Sequence, residues 1–576
     1  MLAIPVALAL IAAACGDSGN SSAGTATTNV SNTAQATTTT TLQPQSGGTL
    51  TFAAYSQIAG LDPLVALGSG TSGAIQMAAV YDTLARYDAD TKKYTPSLAD
   101  SFTANADSTV WTIKIHPGVK FTDGTEYNAE AVKFGLNRHR VGNSIPVAQC
   151  ADYVACPTNA RSSSAYMGLV KDIQPVDNLT LTVTLSEPWT SFPYALASEP
   201  GMIPSPTAVK KCADPTKNTN LCDFNLKPVG AGPFMISSFK VGESIELVKN
   251  PNYWNGQVYL DGIKFVALGD LGGDKTYDAL KTGTAQGAYL RVSATVAQAK
   301  KDKVTGLSVI EQAGETMLLN IGAVVQCKGG APGALCAGKP DGPVASTPTT
   351  ANPTIRQAIA AAFDAKTWND RVYQGTGLTG AELFQKSFPW DPGVAGPAFD
   401  LEKAKSLVAQ AKAAGWNGSV KVLFTNSAVD ANAAVALQTM LQAAGMNPVV
   451  DTSKDSVAEQ GIVGSRDYDT ARWGTSIGPD DSALWSLAQS LNSTAPSNNT
   501  GFKSAKADQA LKDLRAAKTD DDKKAAYKTI AEEFNAQLPW LNYSAVETLK
   551  AFGPKVHGVA PSHRNYIYFD KAWMEK

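Results

Sequence analysis

The sequence has no surplus of basic charge: 49 lysines and arginines face 51 aspartates and glutamates, for a net charge of -2. Nucleic-acid binders neutralise phosphates with clustered cations, so that class is excluded. Long apolar runs are also missing. The longest, Leu2 to Cys15, falls short of the ~20 residues that a bilayer crossing needs. Histidine is scarce, with only His116, His139, His557 and His563. No Cys-x-x-Cys and no His-Glu-x-x-His occurs, so neither a zinc cluster nor a zinc peptidase has support, and no metal or other cofactor is expected. No repeat at solenoid periods is found. What remains is a chain of 576 residues, 44% hydrophobic, long enough for several domains or a few large lobes.

Leu2 to Ala14 reads as the apolar core of a secretion signal. The run Ile11-Ala12-Ala13-Ala14-Cys15 resembles a lipobox, in which the cysteine is lipidated and becomes the new N-terminus. Ala12 stands where Leu is commoner and the basic leading segment is missing, so the true start is expected upstream; an ordinary signal is the alternative. Residues 1–15 are therefore assigned to the signal. Residues 16–46 are rich in Ser, Thr, Asn, Gly, Ala and Gln, too polar to fold. Such a tether reaches on the order of 30 Å as a random coil.

The other six cysteines fall into three close pairs, Cys150 with Cys156, Cys212 with Cys222, and Cys327 with Cys336. Of the connectivities six cysteines allow, three local disulfides are expected, each closing a Pro-, Gly- or Asn-rich loop outside the cytosol.

Order begins at Gly47. Thr49 to Ala53, Trp111 to Ile115 and Leu179 to Leu185 alternate apolar and polar residues as half-buried strands do, which predicts a mixed sheet with marginal helices between Leu50 and Val266. After about Glu311 the pattern changes to α/β alternation. Ile355, Ala358, Ile359, Ala362 and Phe363 form one helical stripe behind Asn352-Pro353. Asp400 is expected to open a second helix ending near Gly415, ahead of a strand from Val420 to Phe424. Asp430 is expected to open a third that stops at Gly445. Two more helices are predicted around 507–517 and 520–537.

Several runs then carry a resemblance. Thr95-Pro96-Ser97-Leu98-Ala99-Asp100-Ser101-Phe102 is followed by Trp111 to Thr125 and by Asn128-Ala129-Glu130-Ala131-Val132. Gly48-Thr49-Leu50, Leu61-Asp62-Pro63, Pro228 to Phe234, Asn250-Pro251-Asn252-Tyr253-Trp254 and Ile355-Arg356-Gln357-Ala358-Ile359 complete the set. In this order they resemble the family 5 extracellular solute-binding proteins of ABC transporters, the dipeptide- and oligopeptide-binding group, over nearly everything after Gly47. The resemblance implies an α/β, two-lobed periplasmic-binding-protein fold with an extra subdomain in lobe I and a hinge between lobes. Lobe I would comprise 47–310 and 542–576, and lobe II 311–541. It also implies a monomer outside the cytoplasm, held by Cys15 to the outer face of the cell membrane. Such a protein takes short peptides, or alternatively an oligosaccharide, a nickel chelate or another small solute, and delivers them to a permease without catalysis.

Site candidates follow. In peptide-binding relatives an aspartate shortly after a Trp-Gly or Trp-Thr pair takes the ligand's amine. Here Trp473-Gly474 leads to Asp480, the first candidate, and Asp481, the second, although the usual Ala-Asp-x-x-Asp-Pro order is not kept. The alternative makes both simple caps of the helix that carries Leu484 and Trp485. Tyr55, Trp254, Trp473 and Trp485 either line a cleft or pack in a core. Gly474-Thr475-Ser476-Ile477-Gly478 matches G-x-S-x-G, and a hydrolase would need His557 or His563 beside Ser476; in the family this loop binds ligand. Gly333 to Lys339 approaches a P-loop, but Pro340 occupies the magnesium-binding Ser/Thr position. Gly230 and Gly232 are assigned to backbone geometry.

Overall fold

A computed structural model describes residues 42–576 apart from 57, 59, 65–72, 157–166, 218, 328–334, 496 and 564–565. Cys15, the signal and most of the tether lie outside the described residues, as do Gly333 and Ala334 of the P-loop-like run. The chain from Pro44 to Lys576 forms one compact unit.

Its frame is an eleven-stranded mixed sheet. Two long antiparallel strands, Thr305–Leu319 and Trp540–Phe552, stand next to each other inside it. Beyond the first come Thr470–Trp473, Ser419–Thr425 and Asn447–Lys454, mutually parallel. Beyond the second come Gly287–Leu290, Thr49–Ala54, Gly262–Ala267, Ser244–Lys249 and Phe234–Lys240. Register between the long strands slips from Glu311 to Thr316, opposite Val546 to Asn542. Gly314 marks that bulge, because a Cβ there would stand 2.3 Å from the Val546 side chain.

Each half of the sheet has its own core. Leu50, Phe52 and Phe265 pack with Tyr566, Tyr568 and Phe569 from the chain's end. On the other side, the stripe Ile355, Ala358, Ile359, Ala362 and Phe363 packs on Val422, Phe424, Leu437 and Leu441. A third cluster covers one face of a four-stranded antiparallel sheet, Ala99–Ala104, Val110–Ile115, Thr180–Leu185 and Val170–Pro175, and continues into helices Ser482–Leu491, Ala505–Ala516 and Asp520–Gln537.

Local signals explain most boundaries. Asn352 caps helix Pro353–Ala362 and Asp400 caps Leu401–Ala413, each through its side chain. The third helix departs from expectation: it runs Ala428–Ala443 and is capped by Ser427, while Asp430 lies in its first turn and takes the Thr425 hydroxyl. Ser427 wins because its side chain reaches the Asp430 N–H at 3.2 Å, one turn earlier than the apolar stripe indicates. All three cysteine pairs are bonded as expected, with Cα separations of 5.1, 5.1 and 5.5 Å. Gly230 and Gly232 let their loop lie on the last turn of helix Ala74–Tyr81, where a Cβ would approach the Val80 carbonyl within 2.4 and 2.6 Å.

Candidate functional site

Parallel strands bring their C-terminal ends to one edge of a sheet, and the crevice beyond that edge is where α/β proteins bind ligands. Strand Thr49–Ala54 runs parallel to Gly287–Leu290, and they lead into Tyr55 and Arg291. Tyr55 meets Tyr289 edge-on at 5.7 Å, and the Arg291 guanidinium lies 5.8 Å from the Tyr55 ring. Arg291 pairs with Glu315 in the bulge at 3.3 Å. Glu315 in turn pairs with Arg472 at 2.8 Å, and Arg472 reaches Asp430 at 3.5 Å. Glu315 is the chief reason the Arg472 pKa stands above its ordinary value, against the opposing effect of burial. Burial also opposes the Arg291 charge, but Glu315, Tyr55 and Glu311 outweigh it.

The G-x-S-x-G loop is stitched to the same bulge. Ser476 N–H donates to the Ala313 carbonyl at 2.9 Å, and Gln312 N–H to that of Ile477 at 2.6 Å. The Thr475 and Thr316 hydroxyls meet at 3.1 Å, and Thr316 also donates to the Trp473 carbonyl. Gly474 passes so near that a Cβ would stand 3.3 Å from the Gly314 carbonyl. The histidines have other companions: His116 binds Asp100, His557 binds Glu575, and His563 meets Ser198 at 3.2 Å.

Asp480 and Asp481 are buried at a seam. Asp480 accepts the Ser482 N–H at 2.9 Å, a short-range turn at the start of helix Ser482–Leu491. Asp481 pairs with Lys523 at 2.8 Å and accepts the Tyr94 hydroxyl at 3.1 Å. Burial, then these two carboxylates, push the Tyr94 and Tyr527 hydroxyl pKa values well up. Trp485 is in the core, meeting Trp189 edge-on at 4.6 Å. Beside it, Thr190 bonds the carbonyls of Arg515 and Ala517. A double-mutant cycle of Asp481→Asn with Tyr94→Phe is expected to show a coupling of about 0.5–3 kcal/mol in chemical denaturation of the ligand-bound protein, whereas additive losses would remove Tyr94 from the seam.

The structure therefore brings Tyr55, Trp473, Gly474 and Ser476 together around one bulge, and Asp480, Asp481 and Trp485 along one seam. Trp254 has separate surroundings, with its ring 4.9 Å from His116 and 5.9 Å from Tyr253. Sequence reasoning missed Arg291, Glu315, Arg472 and Asp430. The available signal was Glu315 directly after Gly314 and just ahead of the apolar run Met317-Leu318-Leu319, and Arg472 directly before Trp473. Among the described residues, no group of three or more His, Cys, Asp or Glu is placed to hold a metal ion, and no helix is long and apolar enough to cross a membrane.

The family model "Bacterial extracellular solute-binding proteins, family 5 Middle" matches residues 93–530. The chain is 26% identical over 494 residues to the glutathione-binding protein GsiB of Pectobacterium atrosepticum, covering 83% of this chain and 85% of that one. It is 23% identical to heme-binding protein A of Haemophilus influenzae, over 98% and 97% of the two chains. The structure resembles the periplasmic binding protein DppA of Helicobacter pylori in complex with peptide STSA, with a TM-score of 0.72, 21% identity, and 92% and 99% of the chains covered. The fold is thus that of the two-lobed periplasmic binding proteins. With more than half its length matched, the chain belongs to the family 5 bacterial extracellular solute-binding proteins, which serve ABC importers as solute-binding components and are not enzymes.

Proposed function

We propose that this protein captures short peptides in the crevice at the strand ends and delivers them to its permease. Lobe I is assigned to 47–310 and 542–576 and lobe II to 311–541, so that the crossings fall at the Glu311–Thr316 bulge and the strand opposite it. Cys15 holds the protein, as a monomer, to the outer face of the membrane. The observation that carries the peptide reading is the half-buried ladder Arg291, Glu315, Arg472 and Asp430. It offers charges of both signs along one line, which suits a zwitterion with a charged group at each end and neutral amides between. Tyr55 adds flat aromatic surface beside it, while Trp473 packs against the cluster that holds Ile477 and Trp485. One of the similar proteins is named for glutathione and another is in complex with peptide STSA, whereas the third is named for heme.

The test is to denature the purified protein and identify by mass spectrometry the small molecules it has carried through purification. A ladder of short peptides is the expected result. One non-peptide compound, whether a sugar, a porphyrin or a metal chelate, overturns the peptide reading and identifies the solute while leaving the importer role in place.

A further inference from the structure

The charge ladder continues into a part of the crevice whose polar groups do not balance. Glu459 lies in the first turn of helix Ser456–Gly464, which follows strand Asn447–Lys454. It is 3% exposed, and its Oε1 has no hydrogen-bond partner among the described residues. The charges acting on it belong to three elements: Arg472 on strand Thr470–Trp473, Asp430 on helix Ala428–Ala443 and Glu315 on strand Thr305–Leu319. Tyr543, on the second long strand, is stacked on Trp368 at 4.2 Å and 2% exposed; its hydroxyl, whose nearest charge influences are Tyr373 and then Arg472, Asp430 and Glu315, also lacks a partner among the described residues. Arg291 Nε in the ladder is likewise unpaired among the described residues. Buried polar atoms rarely stay so, and an unpaired Glu459 oxygen beside these charges indicates that something else completes the set.

The missing chemistry follows from the charge count. Arg291 and Arg472 supply two positive charges, while Glu315, Asp430 and an ionised Glu459 supply three negative ones; Glu311, which also acts on Arg291, is answered by Lys550. A ligand carboxylate would meet three acids. A primary ammonium supplies the missing positive charge and brings the donors that Glu459 Oε1 lacks. Asp480 and Asp481, the sequence candidates for this role, already have the partners described above.

We infer that Glu459 is the anchor for the ligand's ammonium group, the N-terminal amine of a captured peptide. This rests on the peptide reading. It also makes binding proton-linked. Burial, reinforced by Asp430 and Glu315 and opposed by Arg472, pushes the Glu459 pKa up to about 7, so an arriving ammonium discharges a proton from this carboxyl.

The experiment is calorimetric titration with alanine peptides of two to five residues and their N-acetylated forms, in buffers of different ionisation enthalpy. At pH 7 the free-amine peptides are expected to release about half a proton on binding, and their affinity to fall on the order of tenfold between pH 7 and pH 5.5. Acetylated peptides bind far more weakly. Glu459→Gln loses affinity for free-amine peptides at pH 7, and what remains is flat over this range. Because proton release is read on the unsubstituted protein, a folding defect in the variant leaves the inference testable. Free-amine peptides that bind with no proton release and a flat pH profile overturn the Glu459 anchor while the peptide reading stands. If no peptide of the set binds, both fall.

Discussion

Replacing Arg138 by leucine is expected to cost about 3–5 kcal/mol of folding stability, read from the urea midpoint. Arg138 closes helix Ala129–Arg138 and forms a two-pronged pair with Asp62, Nη1 to Oδ1 at 2.8 Å and Nη2 to Oδ2 at 2.7 Å. The side chains are 1% and 3% exposed. Arg138 further donates to the carbonyls of Tyr153 and Val154 at 3.0 and 2.9 Å. Removing the guanidinium strands a carboxylate in the interior and orphans both carbonyls. Taking Asp62 to leucine as well is expected to recover most of the loss, since a buried pair is worth little against packed apolar groups but costly to break. A double variant as unstable as Arg138→Leu would show that the carbonyl contacts carry the energy. Either result assigns the Leu61-Asp62-Pro63 motif to folding.

Trp485→Ala is expected to act on closure. The indole is buried at 5% exposure against Trp189, from a part of the chain assigned to the other lobe. Truncating a buried tryptophan costs about 3–5 kcal/mol wherever its contacts are made. Should the seam form in step with ligand capture, the loss appears mainly as weaker binding, tenfold for each ~1.4 kcal/mol. The expected result is an affinity reduced at least ~10-fold, with the unfolding midpoint of the unliganded protein little changed. An unchanged affinity with a large drop in unfolding midpoint would make this seam a permanent part of the core, and would move the closing surfaces to the crevice between Arg291 and Arg472.

Much of the architecture follows from local sequence. Alternation from Leu179 to Leu185 produces strand Thr180–Leu185, with Leu181, Val183 and Leu185 buried and the threonines between them half-exposed. Caps at Asn352 and Asp400, and the capping box of Thr519 with Asp522, start helices where they are expected, because a cap depends on residues within one turn. Cysteine pairs six to ten residues apart bond as their spacing indicates. The ordered motifs also sufficed to indicate the family.

The binding chemistry was decided elsewhere. Arg291, Glu315, Asp430, Glu459 and Arg472 are scattered over nearly two hundred positions, and none belongs to a recognisable motif. They meet because parallel strands deliver their C-terminal ends to one edge and because the Gly314 bulge places Glu315 between two guanidiniums. The aspartates after Trp473-Gly474 show the converse: a motif located them, but Tyr94 and Lys523, hundreds and tens of residues away, gave Asp481 its partners. Sequence by itself determined the elements, the disulfides and the family, since those depend on periodicity, spacing and short-range bonds. Only the tertiary structure decided which charges share a buried site, because a charge buried in the crevice is set by groups that folding brings within a few ångströms.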